Sequence, residues 1–290
     1  MPNPPPPAGT TADMILRGAN NSPYASGQYE IYDIGNNAIL TGYQLGTVGT
    51  DWTFVGLGGF YGSDTTDMLL RSASTGGFEV YDIANNNITG AAFLGNVGMD
   101  WQVMGFGNFS SRGENDMILR NSSTGGVEVY DISNNQITGA AFIGTIGLDW
   151  QFSGVGNFSS VPGETDLLLR NSSTGGLEVY NINNNQLTGA AFIGTVGLDW
   201  QFAGIAPIHA AGASDLVLRN VNSGAFEVYD IANNQLTGAA RVRWAWIGSS
   251  ADLPPILRPA RPHRWAARVR PPSSCKRWPA LAVAAMQPRA

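Results

Sequence analysis

Short runs of apolar residues recur along the chain at a fixed spacing, separated by turns rich in glycine, asparagine, serine and threonine. The pattern is clearest in the segments 116–121, 126–132, 136–144 and 149–158, which read DMILRN, GVEVYDI, QITGAAFIG and DWQFSGVGNF. Runs of β-branched and aromatic residues bounded by turn-forming residues are typical of strands. Each unit of about 50 residues is therefore predicted to contain four short strands.

The unit repeats throughout residues 12–240. The D-x-x-L-R element recurs after 54, 49, 50 and 49 residues, and the Asp-Trp element after 49, 49 and 50. Such a period, with four strands in each unit, is typical of a β-propeller. Starting each blade at its Trp strand predicts blades at 52–95, 101–144, 150–194 and 200–240, and an incomplete N-terminal blade of three strands at 12–46.

The predicted fold class is thus all-β, a propeller of about five four-stranded blades with one strand missing. The repeats supply 19 strands, one fewer than five complete blades require. A closed ring needs its last inner strand from the C-terminal side, and residues 242–247 could form a substitute. An unclosed ring exposes a sheet edge, which favours pairing with another chain. A homo-oligomer formed through the unclosed blade is therefore one predicted partnership.

The chain changes character at Arg241. Residues 1–240 contain 21 acidic residues and 6 Arg, for a net charge of −15, whereas residues 241–290 contain 10 basic residues and 1 acidic residue, for a net charge of +9. The second segment is rich in Arg, Pro and Ala and has no repeat. Because the change falls in the middle of a repeat, we hypothesise a shift of reading frame that produces a disordered tail. The alternative is a basic tail that binds an acidic surface or a membrane.

The composition of the rest of the chain limits its function and location. Residues 1–11 contain four consecutive prolines and are predicted to be a stiff linker. They lack the basic start and apolar core of a signal peptide, and no run of 18 apolar residues predicts a transmembrane helix. Residues 1–240 contain neither Lys nor Cys, and their negative charge argues against nucleic-acid binding. We expect a secreted bacterial protein that folds without disulfides.

Each repeat also carries polar residues at fixed positions. Arg and Glu lie eight residues apart in four repeats, and a turn centred on Thr124 would place Arg120 opposite Glu128 in a cross-strand ion pair. The alternative interpretation is a ring of charged ligands. Asparagine pairs such as Asn134-Asn135 are predicted to form hairpin turns, because asparagine tolerates the positive φ angles that these turns require.

The strand that begins with Trp is predicted to be the innermost strand of each blade. Its apolar run has no polar alternation, which predicts burial on both faces. The indoles are expected to pack between blades. Alternatively, they form exposed platforms for sugars, which makes four residues candidates for ligand binding: Trp52, Trp101, Trp150 and Trp200.

The loop after the Trp strand reads NFSSRGEND at 108–116 and NFSSVPGETD at 157–166. With the D-[ML]-[ILV]-L-R-N-x-x-T-G-x-x-E-V-Y succession that follows, it resembles the FG-GAP/VCBS family of bacterial repeats, whose propellers are similar to those of integrin α subunits. The resemblance covers residues 12–240. It implies a propeller fold and a loop that, in its D-F-N-G-D-G-x-x-D form, binds Ca²⁺ through oxygen ligands.

The resemblance implies calcium ligands at the first, second and last positions of each loop. The candidates are Asn108, Ser110, Asp116, Asn157, Ser159 and Asp166, together with Asp64 and Asp67 in the preceding repeat. Arg112 replaces the middle Asp, and asparagine replaces the first. Calcium requires six to eight oxygen ligands, usually including several carboxylates. The loops therefore resemble degenerate calcium sites, and no other cofactor is predicted.

No enzyme motif is present in the sequence. There is no phosphate-binding loop, H-E-x-x-H or G-x-S-x-G, and neither His209 nor His263 lies in a motif with a nucleophile. A catalytic site is usually unique, whereas these features recur in every repeat. The sequence predicts a non-enzymatic extracellular binding or scaffold module for a protein or glycan. The alternatives are a lectin with sugars held between blades, and an accessory domain of a larger secreted enzyme.

Overall fold

The structure, a computed structural model, describes residues 1–19, 26–62, 67–113, 115–242 and 287–288. These residues form 20 β-strands, arranged in five antiparallel sheets of four strands each, which follow one another as the blades of a β-propeller. Within the same residues there is no helix that is long and apolar enough to cross a membrane. The predicted fold class is confirmed, including an N-terminal blade that draws only three strands from its own part of the chain.

The blades follow the order of the chain. Blade 1 consists of β1 (Ala12–Arg17), β2 (Gln28–Gly35), β3 (Ala38–Thr47) and the distant β20 (Gln287–Pro288). Blade 2 consists of β4 (Trp52–Gly58), β5 (Asp67–Ser72), β6 (Gly77–Ala84) and β7 (Asn87–Asn96). Blade 3 consists of β8 (Trp101–Gly107), β9 (Asp116–Asn121), β10 (Gly126–Ser133) and β11 (Gln136–Thr145). Blade 4 consists of β12 (Trp150–Gly156), β13 (Asp166–Asn171), β14 (Gly176–Asn183) and β15 (Gln186–Thr195). Blade 5 consists of β16 (Trp200–Ala206), β17 (Asp215–Asn220), β18 (Phe226–Ala232) and β19 (Gln235–Val242).

The antiparallel order places the connecting loops at two opposite ends of every blade. The Asp-Trp turns and the turns between the second and third strands lie at one end, which we call the Trp face. The loops that follow the Trp strands and the asparagine hairpins lie at the other end, which we call the Asn face. The first strands of neighbouring blades, such as β8 and β12, contact each other around the central axis.

The asparagine hairpins confirm the predicted turns. All ten asparagines in these turns have φ angles between 49° and 62°. In blade 3 the turn leaves Ser133 opposite Gln136, so only two residues connect the strands. Left-handed conformations at both central residues define the type I′ turn, whose twist matches that of the flanking strands.

The hydrophobic core lies between blades rather than inside them. At the junction of blades 3 and 4, it is formed by side chains of the second and third strands of both blades, which include Ile118, Val127, Val129, Leu167, Leu169 and Ile182. Equivalent clusters occupy the other three junctions between consecutive blades. Burying these apolar surfaces is the main favourable contribution to folding.

The second strand, and not the Trp strand, is the strand buried on both faces. In β9 the residues from Asp116 to Leu119 are all buried, whereas β12 carries an exposed Gln151 and a half-buried Trp150. The prediction of a doubly buried Trp strand is therefore wrong. That strand is the inner edge of the sheet and borders the axis, where solvent has access, while the second strand has neighbours on both sides.

The predicted pairing of Arg120 with Glu128 is also wrong. In the structure Arg120 lies opposite Val127, and Glu128 lies opposite Leu119. Residues that face each other share one side of a sheet, so a register shift of one residue places the arginine and the glutamate on opposite sides. Glu128 instead accepts a hydrogen bond of 2.8 Å from the hydroxyl of Tyr130, two residues along the same strand.

The arginine reaches the next blade, in an arrangement we call the arginine clamp. Arg120 of blade 3 donates from Nη1 to the carbonyl of Trp150 at 2.6 Å, and from Nη2 to the carbonyls of Ile146 and Gly147 at 3.1 and 2.5 Å. Burial lowers the pKa of Arg120, and the nearby carboxylate of Asp149 opposes this effect. The clamp recurs at Arg71 and Arg170.

A second contact between blades, the asparagine latch, lies on the Asn face. The side-chain Nδ2 of Asn185 in blade 4 donates to Oδ1 of Asp131 in blade 3 at 2.6 Å, and its backbone N–H donates to the carbonyl of Phe109 at 2.8 Å. The same two bonds join Asn135 to blade 2. Asn234 repeats them on blade 4, where the acceptor is the amide oxygen of Asn181.

Blade 1 is completed from the C-terminal side, as the count of strands requires. Gln287 pairs with Asp13 and Pro288 with Ala12, so β20 takes the place of the missing inner strand. The proposed substitute at 242–247 and the predicted disordered tail lie outside the described residues, apart from 241–242 and 287–288. In the Pro-rich segment, Asn3 donates from Nδ2 to the carbonyls of Gln44 and Asn86 at 3.0 and 2.6 Å, which ties this segment to blades 1 and 2.

We expect the arginine clamp to be a major stabilising contact. Arg120→Gln removes a half-buried cation from three carbonyls and should lower the free energy of unfolding by about 2 kcal/mol, measured by urea denaturation. Arg219→Gln is the matched control, because Arg219 is exposed and makes no hydrogen bond among the described residues. Equal losses in the two variants would contradict the clamp.

Candidate functional site

The predicted calcium loops lie on the Asn face, where each is held by the aspartate that begins the second strand. Asp166 is fully buried, and its Oδ2 accepts hydrogen bonds from the backbone N–H groups of Phe158 and Ser159 at 2.8 and 2.7 Å. Burial raises the pKa of Asp166, while these hydrogen bonds act in the opposite direction. Asp67 accepts equivalent bonds from Phe60 and Tyr61.

The remaining candidate ligands of blade 3 also hold the loop together. Oδ1 of Asn108 accepts from the backbone N–H of Gly113 at 2.8 Å, and the N–H of Ser110 donates to Oδ2 of Asp116 at 2.6 Å. The guanidinium of Arg112, at the position of the missing middle Asp, lies 3.3 Å from the carboxylate of Asp131. The positively charged guanidinium of Arg112 therefore lies beside this loop.

The loop of blade 4 brings its candidates together around a residue that the sequence analysis missed. The hydroxyl oxygen of Ser159 lies 2.9 Å from Oε2 of Glu164 and 3.2 Å from Oδ1 of Asn157, and Nδ2 of Asn157 donates to the carbonyl of Val161 at 2.7 Å. Glu164 is two residues before Asp166, a position without a ligand in the family pattern. The last candidate, Asp64 of blade 2, lies outside the described residues.

The corresponding loop of blade 5 contains a histidine between two carboxylates. Nδ1 of His209 lies 2.6 Å from Oδ1 of Asp215 and 3.8 Å from Oδ1 of Asp230. Burial alone would raise the pKa of Asp215, but the N–H groups and ring of His209 and the N–H of Ile208 lower it overall. His209 lies in no sequence motif, and Asp230 belongs to a different strand, so only the fold brings the two together.

The four tryptophans pack against the cores between blades. Trp52, Trp101 and Trp150 are half-buried and contact the cluster at the junction with the preceding blade, and Trp200 is buried in the last of these clusters. The guanidinium carbon of Arg241 lies 5.8 Å from the ring centre of Trp200. Packing against the core leaves only part of each indole available to a ligand.

The Trp face carries exposed apolar side chains that the sequence analysis did not identify. In blade 3, Phe142 of the outer strand and Leu148 of the following turn are 62% and 59% exposed. Both lie against the turn at Gly125-Gly126, where a Cβ on Gly126 would lie 3.2 Å from Cε2 of Phe142 and one on Gly125 would lie 3.6 Å from Cδ2 of Leu148.

Blades 2 and 4 repeat this arrangement, so the face carries three apolar pairs. Their members are all more than half exposed: Phe93 with Met99, Phe142 with Leu148, and Phe192 with Leu198. Blade 1 has Gln44 and Thr50 at the same positions, and blade 5 has Arg241 in place of the phenylalanine. The sequence signal was the recurrence of Phe and Leu or Met beside the Gly-Gly turn, in the three central repeats only.

A cleft of about 420 Å³ opens beside the middle pair, between blades 3 and 4. The Trp strands of both blades line it, together with the clamp arginine; the lining includes Gln102, Met104, Arg120, Leu148, Trp150, Gln151 and Phe152. Aromatic surface next to carboxamide groups is a combination that suits small polar ligands with an apolar face.

Comparison with known proteins gives no family match. No protein-family model matches the chain, and no curated protein matches it. Among solved structures, the chain is similar to the dihydro-heme d1 dehydrogenase NirN in complex with DHE, with a TM-score of 0.42 and 10% identity over 81% of this chain and 46% of that one. It is also similar to a post-proline cleaving enzyme from Rickettsia typhi, with a TM-score of 0.46 and 12% identity over 81% of this chain and 35% of that one.

A third similar structure is the Dos1 propeller, with a TM-score of 0.37 and 11% identity over 71% of this chain and 59% of that one. The chain thus spans less than two thirds of the length of each of these proteins. The propeller that the FG-GAP/VCBS resemblance implied is present, whereas membership of that family stays a prediction.

We expect calcium to leave the stability of the chain unchanged. The carboxylate of Asp166 already accepts two backbone N–H groups, so millimolar Ca²⁺ and EDTA should give midpoints of thermal unfolding within about 1 °C of each other, because a ligand that does not bind the folded state cannot stabilise it. A calcium-dependent rise that Asp166→Asn abolishes would instead establish a calcium loop in blade 4.

Proposed function

We propose that this chain is a non-enzymatic binding module whose Trp face holds a protein partner. The observation that carries the proposal is the set of three apolar pairs, which expose six large apolar side chains at equivalent positions of three adjacent blades. Contiguous exposed apolar surface on a folded protein usually marks an interaction site. Pairs repeated on a rigid scaffold can each contribute to one extended contact, which increases the overall affinity.

The absence of catalysis is part of the same proposal. The carboxylates of Asp67, Asp116 and Asp166 are buried and accept backbone N–H groups, so they act as loop anchors. Each of these aspartates recurs at the same position of its blade, whereas a catalytic site usually occurs only once in a protein. We place the module outside the cell, as an FG-GAP/VCBS-like repeat region, either alone or beside the catalytic domain of a larger secreted enzyme.

Carbohydrate binding is the second candidate function, favoured by the cleft between blades 3 and 4. Trp150 and Phe152 offer aromatic surface, and the amides of Gln102 and Gln151 offer donors and acceptors for hydroxyl groups. This alternative predicts that Gln151→Ala weakens binding of a glycan, and that removal of the apolar pairs does not.

The apolar pairs can be tested without a known partner. Peptides selected from a random phage-displayed library on the full chain should be rich in aromatic residues, and the triple variant Phe93→Ser, Phe142→Ser, Phe192→Ser should weaken their binding about tenfold or more, as loss of central contacts does at protein interfaces. The phenylalanines are mostly exposed, so the unfolding midpoint should change little.

Ile39→Ser is the matched control, because Ile39 is 57% exposed on the outer strand of blade 1, beside the asparagine hairpin and far from the Trp face. Equal binding of the selected peptides by the triple variant and the unchanged chain would contradict the proposal. A glycan array that gives hits sensitive to Gln151→Ala would favour the second candidate.

A further inference from the structure

Each junction between blades is made of two complementary halves. The acceptor half belongs to the earlier blade and consists of an Asp or Asn near the end of the third strand and a carbonyl of the loop after the Trp strand; at the junction of blades 3 and 4 these are Asp131 and Phe109. The donor half belongs to the later blade and is the second asparagine of its hairpin, here Asn185. Apolar side chains of both blades fill the space beside this latch.

Blade 5 carries an acceptor half that no later blade of the chain engages. Asp230 is the equivalent of Asp131, and its side chain is 28% exposed, whereas Asp131 is buried. Ile208 takes the place of Phe158 in the loop and is 52% exposed, whereas Phe158 is fully buried at the junction of blades 4 and 5. Arg219, the clamp arginine of this blade, is exposed.

Blade 1 carries the matching donor half. Asn37 has the φ angle of a latch asparagine, 59°, and is exposed, whereas its equivalent Asn86 is buried against Asp33 of blade 1. The apolar residues beside it, Met14, Leu16 and Ile34, are half-buried, while their equivalents in blades 2 to 5 are buried. The two halves of one more junction are therefore present in the first and last blades.

The two halves do not meet within one chain. Among the described strands, none of β16–β19 contacts any of β1–β3, and Asn37 makes no side-chain hydrogen bond in the described part of the molecule. We propose that they meet between copies, so that blade 5 of one chain accepts blade 1 of a second copy and the latch forms between Asp230 and Asn37. Such a contact is head-to-tail, so it produces either a closed ring of chains or an open filament.

The partner is a second copy because the interface continues one that the chain already builds four times. The acceptor half recognises a left-handed asparagine with a free carboxamide and an apolar strand pair beside it, and blade 1 presents this combination. The carboxylate of Asp230 also faces a neutral amide donor across the contact, so no like charges oppose each other there. A charged acceptor strengthens such a hydrogen bond.

Sedimentation velocity of the full chain over a range of micromolar concentrations tests the proposal. The unchanged chain should associate as its concentration rises. Asn37→Gly keeps the positive φ of the turn and removes the amide, and it should weaken association about tenfold, the effect of losing one hydrogen bond to a charged group. Asp230→Ala should do the same.

Two matched controls accompany these variants. Asn36→Gly makes the same chemical change at the neighbouring turn residue, which takes no part in the latch, and should leave association unchanged. Asp230→Asn should retain association, because blade 4 forms its latch with Asn181 at this position.

Mixing the two weakened variants separates contacts between copies from contacts within one. Asn37→Gly retains the acceptor half and Asp230→Ala retains the donor half, so an equimolar mixture should regain dimers with one intact junction. A chain that stays monomeric at every concentration would overturn the proposal. So would an Asn37→Gly variant that unfolds more easily but keeps the mass of the unchanged chain, since Asn37 would then form its contact within the same molecule.

Discussion

The structure depends on one constraint: two residues of each outer hairpin must adopt a left-handed backbone so that the second can reach the preceding blade. Asparagine satisfies both requirements, because it tolerates positive φ and carries a short amide. The amide of Asn185 then finds a carboxylate and its N–H a carbonyl, both in blade 3. On the opposite face the clamp arginine performs the equivalent task with three carbonyls. Buried polar groups stabilise a fold only when they form hydrogen bonds. The latch and the clamp therefore fix the spacing between neighbouring blades, one on the Asn face and the other on the Trp face.

The repeat was sufficient to predict the architecture, and the reason is physical. A period of 49 or 50 residues, with four apolar runs and a pair of asparagines, leaves few ways to bury every apolar face except stacking sheets around an axis. The register within a sheet was harder. A turn centred on Thr124 differs by one residue from the observed turn, in which the N–H of Gly125 donates to the carbonyl of Asn121. This one-residue difference in register places Arg120 on the side of the sheet away from Glu128. Arg120 therefore forms the arginine clamp instead of the predicted ion pair.

The candidate site was harder still to predict, because it depends on contacts between blades. The family pattern includes Asp116 and Asp166, which begin the second strands of their blades and hold the preceding loops, but a motif does not tell which donors surround a carboxylate. The fold supplies backbone N–H groups, and in blade 3 the guanidinium of Arg112 lies beside them. The apolar pairs were visible in the sequence as a recurring Phe and Leu. Their exposure emerges only in the fold, beside a turn where Gly125 has a φ of 75° and a Cβ would lie 2.0 Å from the carbonyl oxygen of Ile146.

The five blades are equivalent in fold and differ in what they expose. Apolar pairs are confined to the three central blades, whose junctions are complete on both sides, while blades 1 and 5 carry Gln44 and Arg241 in place of the phenylalanine. In a repeat protein each unit contacts only its neighbours, so the terminal units must either end the stack or extend it. Blade 1 contains the latch asparagine Asn37, and blade 5 contains the acceptor Asp230. A repeat that ends a stack has no need of either polar group. The face formed by the central blades and the edges formed by the terminal ones are separate parts of the structure, so a substitution in one need not disturb the other.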